Sequence, residues 1–146
     1  MGVNNSQLIG VDTNVILNVL RTDDPPSHKI GSRYFFEHVQ ENKINLGVSA
    51  ITITELFRKP FKDNSSKEQE IVDSFLHFIR ARTISISHDS AVDAARIIEE
   101  QHVKFADALI ASSLLFAGVK TFVTRNTADY KRTALNVLTP EEFMKN

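Results

Sequence analysis

Apolar positions along the chain switch between two spacings, and the switches outline the elements. Gln7–Val11 closes on the apolar run Leu8-Ile9-Gly10-Val11 and reads as a first strand. Val15–Leu20 predicts a short helix, stopped ahead of Pro25-Pro26. A helix capped by Ser27 is expected to run to about Gln40, with Ile30, Tyr34 and Val39 among its apolar residues. Ile44, Leu46 and Val48 alternate as a strand does. A helix carrying Glu55 should follow and end before Pro60, and Asp63-Asn64-Ser65-Ser66 reads as a loop. Ile71, Val72, Phe75, Leu76 and Ile79 make a helical stripe. Thr83–Ile86 predicts a short strand, and Asp89 to about Gln101 a helix with Ala91, Ala94, Ala95 and Ile98. Phe105–Phe116 predicts another helix, closed by Gly118. Thr121–Thr124 and Leu135–Leu138 read as strands, and Thr139-Pro140-Glu141-Glu142 as a capping box with proline at the first helical position.

Strands alternate with helices almost throughout. The fold class expected is α/β, a three-layer α/β/α arrangement with a mainly parallel central sheet of about five strands and helices on both faces. Ligands on such sheets gather at the carboxyl ends of the strands. Residues 1–6 read as a disordered polar tail and residues 7–146 as one domain.

Composition narrows the chemistry. With 42% hydrophobic and 24% charged residues, the chain can bury an ordinary core. The net charge of -1 gives no bulk attraction to nucleic acid, though it leaves room for a local basic rim. There is no cysteine, so disulfides, thiolate zinc sites and cysteine nucleophiles are excluded, and an intracellular, cytoplasmic location is expected. No apolar run approaches the roughly 20 residues that span a bilayer, so no membrane partner is expected. Met1–Ser6 fits the loose myristoylation pattern, without the basic cluster that would add a second membrane signal.

Four carboxylates then stand out, because each adjoins apolar sequence where a lone charge is costly. Asp12 ends the first apolar run, and it or Asn14 can equally cap the following helix. Glu55 lies in Thr52-Ile53-Thr54-Glu55, which also matches a capping box. Asp107 shares the apolar stripe of Ile110, Ala111 and Leu114, and would also suit a first helical turn. Asp129 closes the turn-rich Thr124-Arg125-Asn126-Thr127-Ala128. Several acids at element ends suit one purpose, holding a hard cation through oxygen ligands. Ser87-His88-Asp89 holds triad residue types without triad geometry, and the five histidines show no zinc spacing.

Taken in order, Asp12-Thr13-Asn14, Thr54-Glu55-Leu56, Asp107-Ala108-Leu109-Ile110-Ala111 and Thr124-Arg125-Asn126 with Asp129 resemble the PIN-domain nucleases. The resemblance spans nearly the whole chain. Its order, spacing and closing Asp129-Tyr130-Lys131-Arg132 are most similar to VapC-type toxins of toxin–antitoxin pairs.

That resemblance implies hydrolysis of single-stranded RNA with Mg2+ or Mn2+. It implies Asp12, Glu55, Asp107 and Asp129 as catalytic, metal-binding acids, Asp129 either touching the metal or acting one step behind it. Asn14, Thr124 and Asn126 are expected to orient the acids or the substrate. Arg58, Lys59, Lys62, Arg125, Lys131 and Arg132 are candidates for a basic rim along an RNA backbone, against the ordinary alternative of solvated charge. The partners implied are RNA, a cognate antitoxin protein and a second copy of the chain as a homodimer. Two other readings remain open: a PIN nuclease in RNA processing without an antitoxin, and a catalytically weak RNA-binding or interaction module.

Overall fold

The computed structural model describes residues 7–146, so the expectation of a disordered tail over residues 1–6 lies outside the described residues. Five strands form the sheet: β1 (Leu8–Val11), β2 (Asn45–Ser49), β3 (Arg82–Ile84), β4 (Thr121–Val123) and β5 (Asn136–Leu138). Their order is β3-β2-β1-β4-β5, and every neighbouring pair is parallel. The helices between them are α1 (Thr13–Leu20), α2 (Pro26–Glu41), α3 (Ala50–Lys62), α4 (Ser66–Phe78), α5 (His88–Gln101), α6 (Phe105–Phe116), α7 (Thr127–Tyr130) and α8 (Pro140–Lys145).

The two-residue period of the strands sorts side chains between two cores. Ile9, Val11, Leu46, Val48 and Val123 face one side, where they pack with Val15 and Ile16 of α1, Phe35, Phe36 and Val39 of α2, Leu56 of α3 and Val72 of α4. Phe122 and Leu8 face the other, against Ile110, Ala111 and Leu114 of α6, with Tyr130 closing one end. Ala94 and Ile97 of α5 then pack outside α6 on Ala108. The result is the three-layer α/β/α fold expected, with the sheet wholly parallel. Gly10 lets α6 sit against the sheet centre: a Cβ there would lie 3.0 Å from Phe122 and 3.1 Å from Leu114.

Several local expectations change. Helix α2 begins at Pro26, with Pro25 before it and no side-chain cap, so Ser27 is inside the helix. Its buried apolar face is Phe35, Phe36 and Val39, and Ile30 and Tyr34 are exposed. Helix α3 starts after Ser49, whose Oγ accepts from the Ile51 backbone N–H, and it runs through the buried Pro60 to Lys62. Glu55 is therefore mid-helix and the capping-box reading of Thr52–Glu55 fails. The turn-rich stretch before Asp129 contains a one-turn helix, α7, in place of a plain loop.

Candidate active site

The parallel order reverses at β1, which has β2 on one side and β4 on the other. A switch point of this kind opens a crevice at the carboxyl ends of the central strands. Asp12 follows β1 directly, and its backbone N–H donates to Val123 O of β4 at 2.9 Å. Asp12 does cap α1: Oδ1 accepts from the Thr13 backbone N–H at 2.8 Å. Its other oxygen accepts from the Thr124 hydroxyl at 2.7 Å. Cap and site are thus one residue, and the two readings of Asp12 do not compete.

Only 5% of Asp12 is exposed. Burial pushes its carboxyl up from 3.8 to about 6, the hydrogen bonds from Thr124 and Thr13 oppose the rise, and the charges of Asp107 and Glu55 add to it. Asp107 is half-buried at the first turn of α6 and is also raised, first by burial and then by the charge of Asp129, with the Tyr130 hydroxyl opposing. The four acids therefore bear on one another in a chain, Glu55 and Asp107 on Asp12, and Asp129 on Asp107. Among the described residues no three His, Asp or Glu side chains stand close enough together here to hold a metal ion. Glu55 lines one surface groove and Asp107 and Asp129 a separate hollow, while Asp12 is buried.

Hydroxyls and amides set three of the acids. The Thr13 hydroxyl donates to Glu55 Oε1 at 2.8 Å and lies 3.0 Å from the Thr52 hydroxyl, so Thr13 ties Glu55 to Asp12 through one residue. Thr124, fully buried, gives its one proton to Asp12 and accepts from the Asn126 backbone N–H at 3.0 Å. Asn14 Nδ2 approaches Thr124 Oγ1 at 3.5 Å, and Asn14 Oδ1 accepts from the Arg125 backbone N–H. The Tyr130 hydroxyl donates to Asp107 Oδ1 at 3.0 Å. Thr13 and Tyr130 were not singled out from sequence. Each stands beside a selected acid, but only the fold shows the acid it reaches.

The candidate basic rim is not one surface. Arg125 is drawn into the fold: Nε donates to Asn18 Oδ1, Nη1 to Glu141, and Nη2 to His28 O and to Ser32 Oγ. With four partners the guanidinium is a brace between α1, α2 and α8, which corrects its place as a free backbone contact. Lys59 is paired with Asp63 at 2.7 Å and Glu68 at 3.3 Å. With Arg58 and Lys62 it lines a groove of about 1180 Å³ that also holds Arg21, Phe57, Phe61 and Glu55. A smaller hollow of about 280 Å³ holds Asp107 and Asp129 beside Lys104 and Arg132. Lys131 is exposed near it.

The family profile of the PIN domain matches residues 9–135. The chain belongs to the PIN-domain family. The PIN match contains all four acids and both Thr13 and Tyr130, and PIN domains are nucleases. Solved structures share the PIN fold at low identity. A toxin–antitoxin complex from Klebsiella pneumoniae aligns at 21% identity over 90% of this chain and 97% of that one, with a TM-score of 0.64. VapBC2 from Rickettsia felis, bound to a DNA fragment from its promoter, aligns at 22% over 91% and 98%, TM-score 0.66. FitAcB from Neisseria gonorrhoeae aligns at 21% over 92% and 99%, TM-score 0.70. No curated protein matches at a significant level.

Proposed function

We propose that this PIN domain, a single domain over residues 7–146, is a divalent-metal-dependent ribonuclease and the toxin of a toxin–antitoxin pair. One observation carries the catalytic part: a buried carboxylate, Asp12, sits at the strand switch with Glu55 and Asp107 raising the cost of its charge. Crowded anions of this kind are stabilised by a hard cation, and the donors are all oxygens, which fits Mg2+ or Mn2+. Asp12, Glu55 and Asp107 would hold the ion, with Asp129 beside Asp107. A bound ion supplies charge stabilisation at the phosphodiester oxygens.

The chain's own contribution is orientation. Thr124 and Thr13 fix both oxygens of Asp12, Thr13 fixes Glu55, and Asn14 and Asn126 hold the Thr124 turn in place. RNA is favoured by the groove that Glu55 lines, where Arg58 and Lys62 lie with Phe57 and Phe61. Cations tracking phosphates beside aromatics that stack on bases suit a single strand. Lys104 and Arg132 would meet phosphates on the Asp107 side, with Lys131 nearby.

The antitoxin partner is supported by the Klebsiella pneumoniae neighbour, which was solved as a toxin–antitoxin complex. A homodimer and a cytoplasmic location complete the reading, and among the described residues no helix is long and apolar enough to cross a membrane. The test is cleavage of a mixed single-stranded RNA pool with Mg2+ or Mn2+ and with chelator. The parent should cut only with metal, and Asp12→Asn should fold and fail to cut. Metal-independent cutting, or full activity in Asp12→Asn, refutes the catalytic assignment. Purification of the protein expressed with its neighbouring small reading frame tests the pair, and absence of any stable small partner refutes the toxin part alone.

A further inference from the structure

Tyr130 is the last residue of α7 and only 1% exposed. Its ring packs edge-on against Phe122 of β4, with centroids 4.8 Å apart. Phenylalanine would fill that space equally well, so packing does not account for the hydroxyl. A buried phenol needs a partner, and this one donates to Asp107 Oδ1 across the site, not to a backbone carbonyl. The residue is also pinned from behind: its carbonyl accepts from the Thr133 hydroxyl at 2.6 Å.

We infer that Tyr130 is a positioning residue of the acidic site, its hydroxyl fixing the Asp107 carboxylate by one oxygen so that the other is presented to a cation. The inference rests on the metal-nuclease reading above and adds a residue to it. Groups that orient a metal ligand in this way commonly govern metal affinity by about 10- to 100-fold.

The experiment is a Mn2+ titration of the full chain by calorimetry, with melting of each metal-free variant as a check on folding. Tyr130→Phe should melt cooperatively and bind Mn2+ about ten-fold more weakly than the parent. Thr133→Val removes a hydrogen bond from the same turn without touching the acids. It should melt lower yet bind Mn2+ as the parent does. Parent-like Mn2+ affinity in Tyr130→Phe overturns the positioning role and leaves the nuclease reading standing. Equal weakening in Thr133→Val also overturns it, because general loosening of the turn would then explain both. A parent that shows no saturable Mn2+ binding overturns the metal-nuclease reading, and this inference with it.

Discussion

Replacing Asp12 by asparagine should make the metal-free protein more stable near neutral pH, and the gain should depend on pH in a defined direction. The group's carboxyl rises from 3.8 to about 6 on folding, with burial the largest cause. Below 3.8 the residue is protonated in both the folded and unfolded chain, and its ionisation contributes nothing to the balance. Between 3.8 and about 6 the unfolded chain has lost the proton that the native state keeps, so stability falls as pH rises. Above about 6 the native state carries a buried charge and the loss is complete. A shift of about two units, at about 1.4 kcal/mol each, makes that loss roughly 3 kcal/mol. Asparagine keeps the helix cap and cannot ionise, so it should escape the loss. Whatever it costs to turn the Thr124 hydroxyl around is independent of pH and cancels in the comparison. For a chain of this size 1 kcal/mol moves the melting temperature by about 2–4 °C. The difference between Asp12→Asn and the parent should therefore grow by roughly 10 °C in favour of the variant from pH 4 to pH 7.5, in chelator. A constant difference across that range would show that Asp12 ionises normally, and the argument for a strained acidic site would fail.

Arg125→Lys should destabilise the protein by roughly 2 kcal/mol, because a lysine cannot reach Asn18, Ser32, His28 and Glu141 together; the half-exposed Glu141 keeps the cost below that of a fully buried pair. Denaturant unfolding measures it, and parent-like stability would mean that the brace is incidental. Light scattering at micromolar concentration should give twice the chain mass of 16.4 kDa, and Tyr34→Lys should reduce it, since Tyr34 stands 58% exposed on α2 one turn from Ile30; a monomer mass for the parent would remove the homodimer.

The layers were legible because the period of apolar residues is itself a consequence of burial. Ile9 and Val11 face one core and Leu8 the other, and the sequence carries that alternation openly. The acids were legible for the opposite reason, as charges where the pattern calls for apolar side chains. Local chemistry was less so. Val48-Ser49-Ala50-Ile51 does not say where strand yields to helix, and the start of α3 is decided by the Ser49 hydroxyl, which also accepts from Ser113 of α6. Arg125 looked like a surface cation because its partners lie 16 to 107 residues away. Tyr130 entered only as part of the closing motif, because its reach to Asp107 is made by the fold.

The hydrogen bond from Thr124 to Asp12 joins residues 112 positions apart. It forms only once β1 and β4 lie side by side, although three helical crossovers separate them along the chain. Contacts of such high sequence separation are made late, after the entropy of closing the intervening chain has been overcome. An incomplete or partly folded chain therefore has the acids in its sequence without the arrangement that makes them a site. Nuclease action by this PIN domain would begin only once that contact has formed, and anything that parts the two central strands would disable it again.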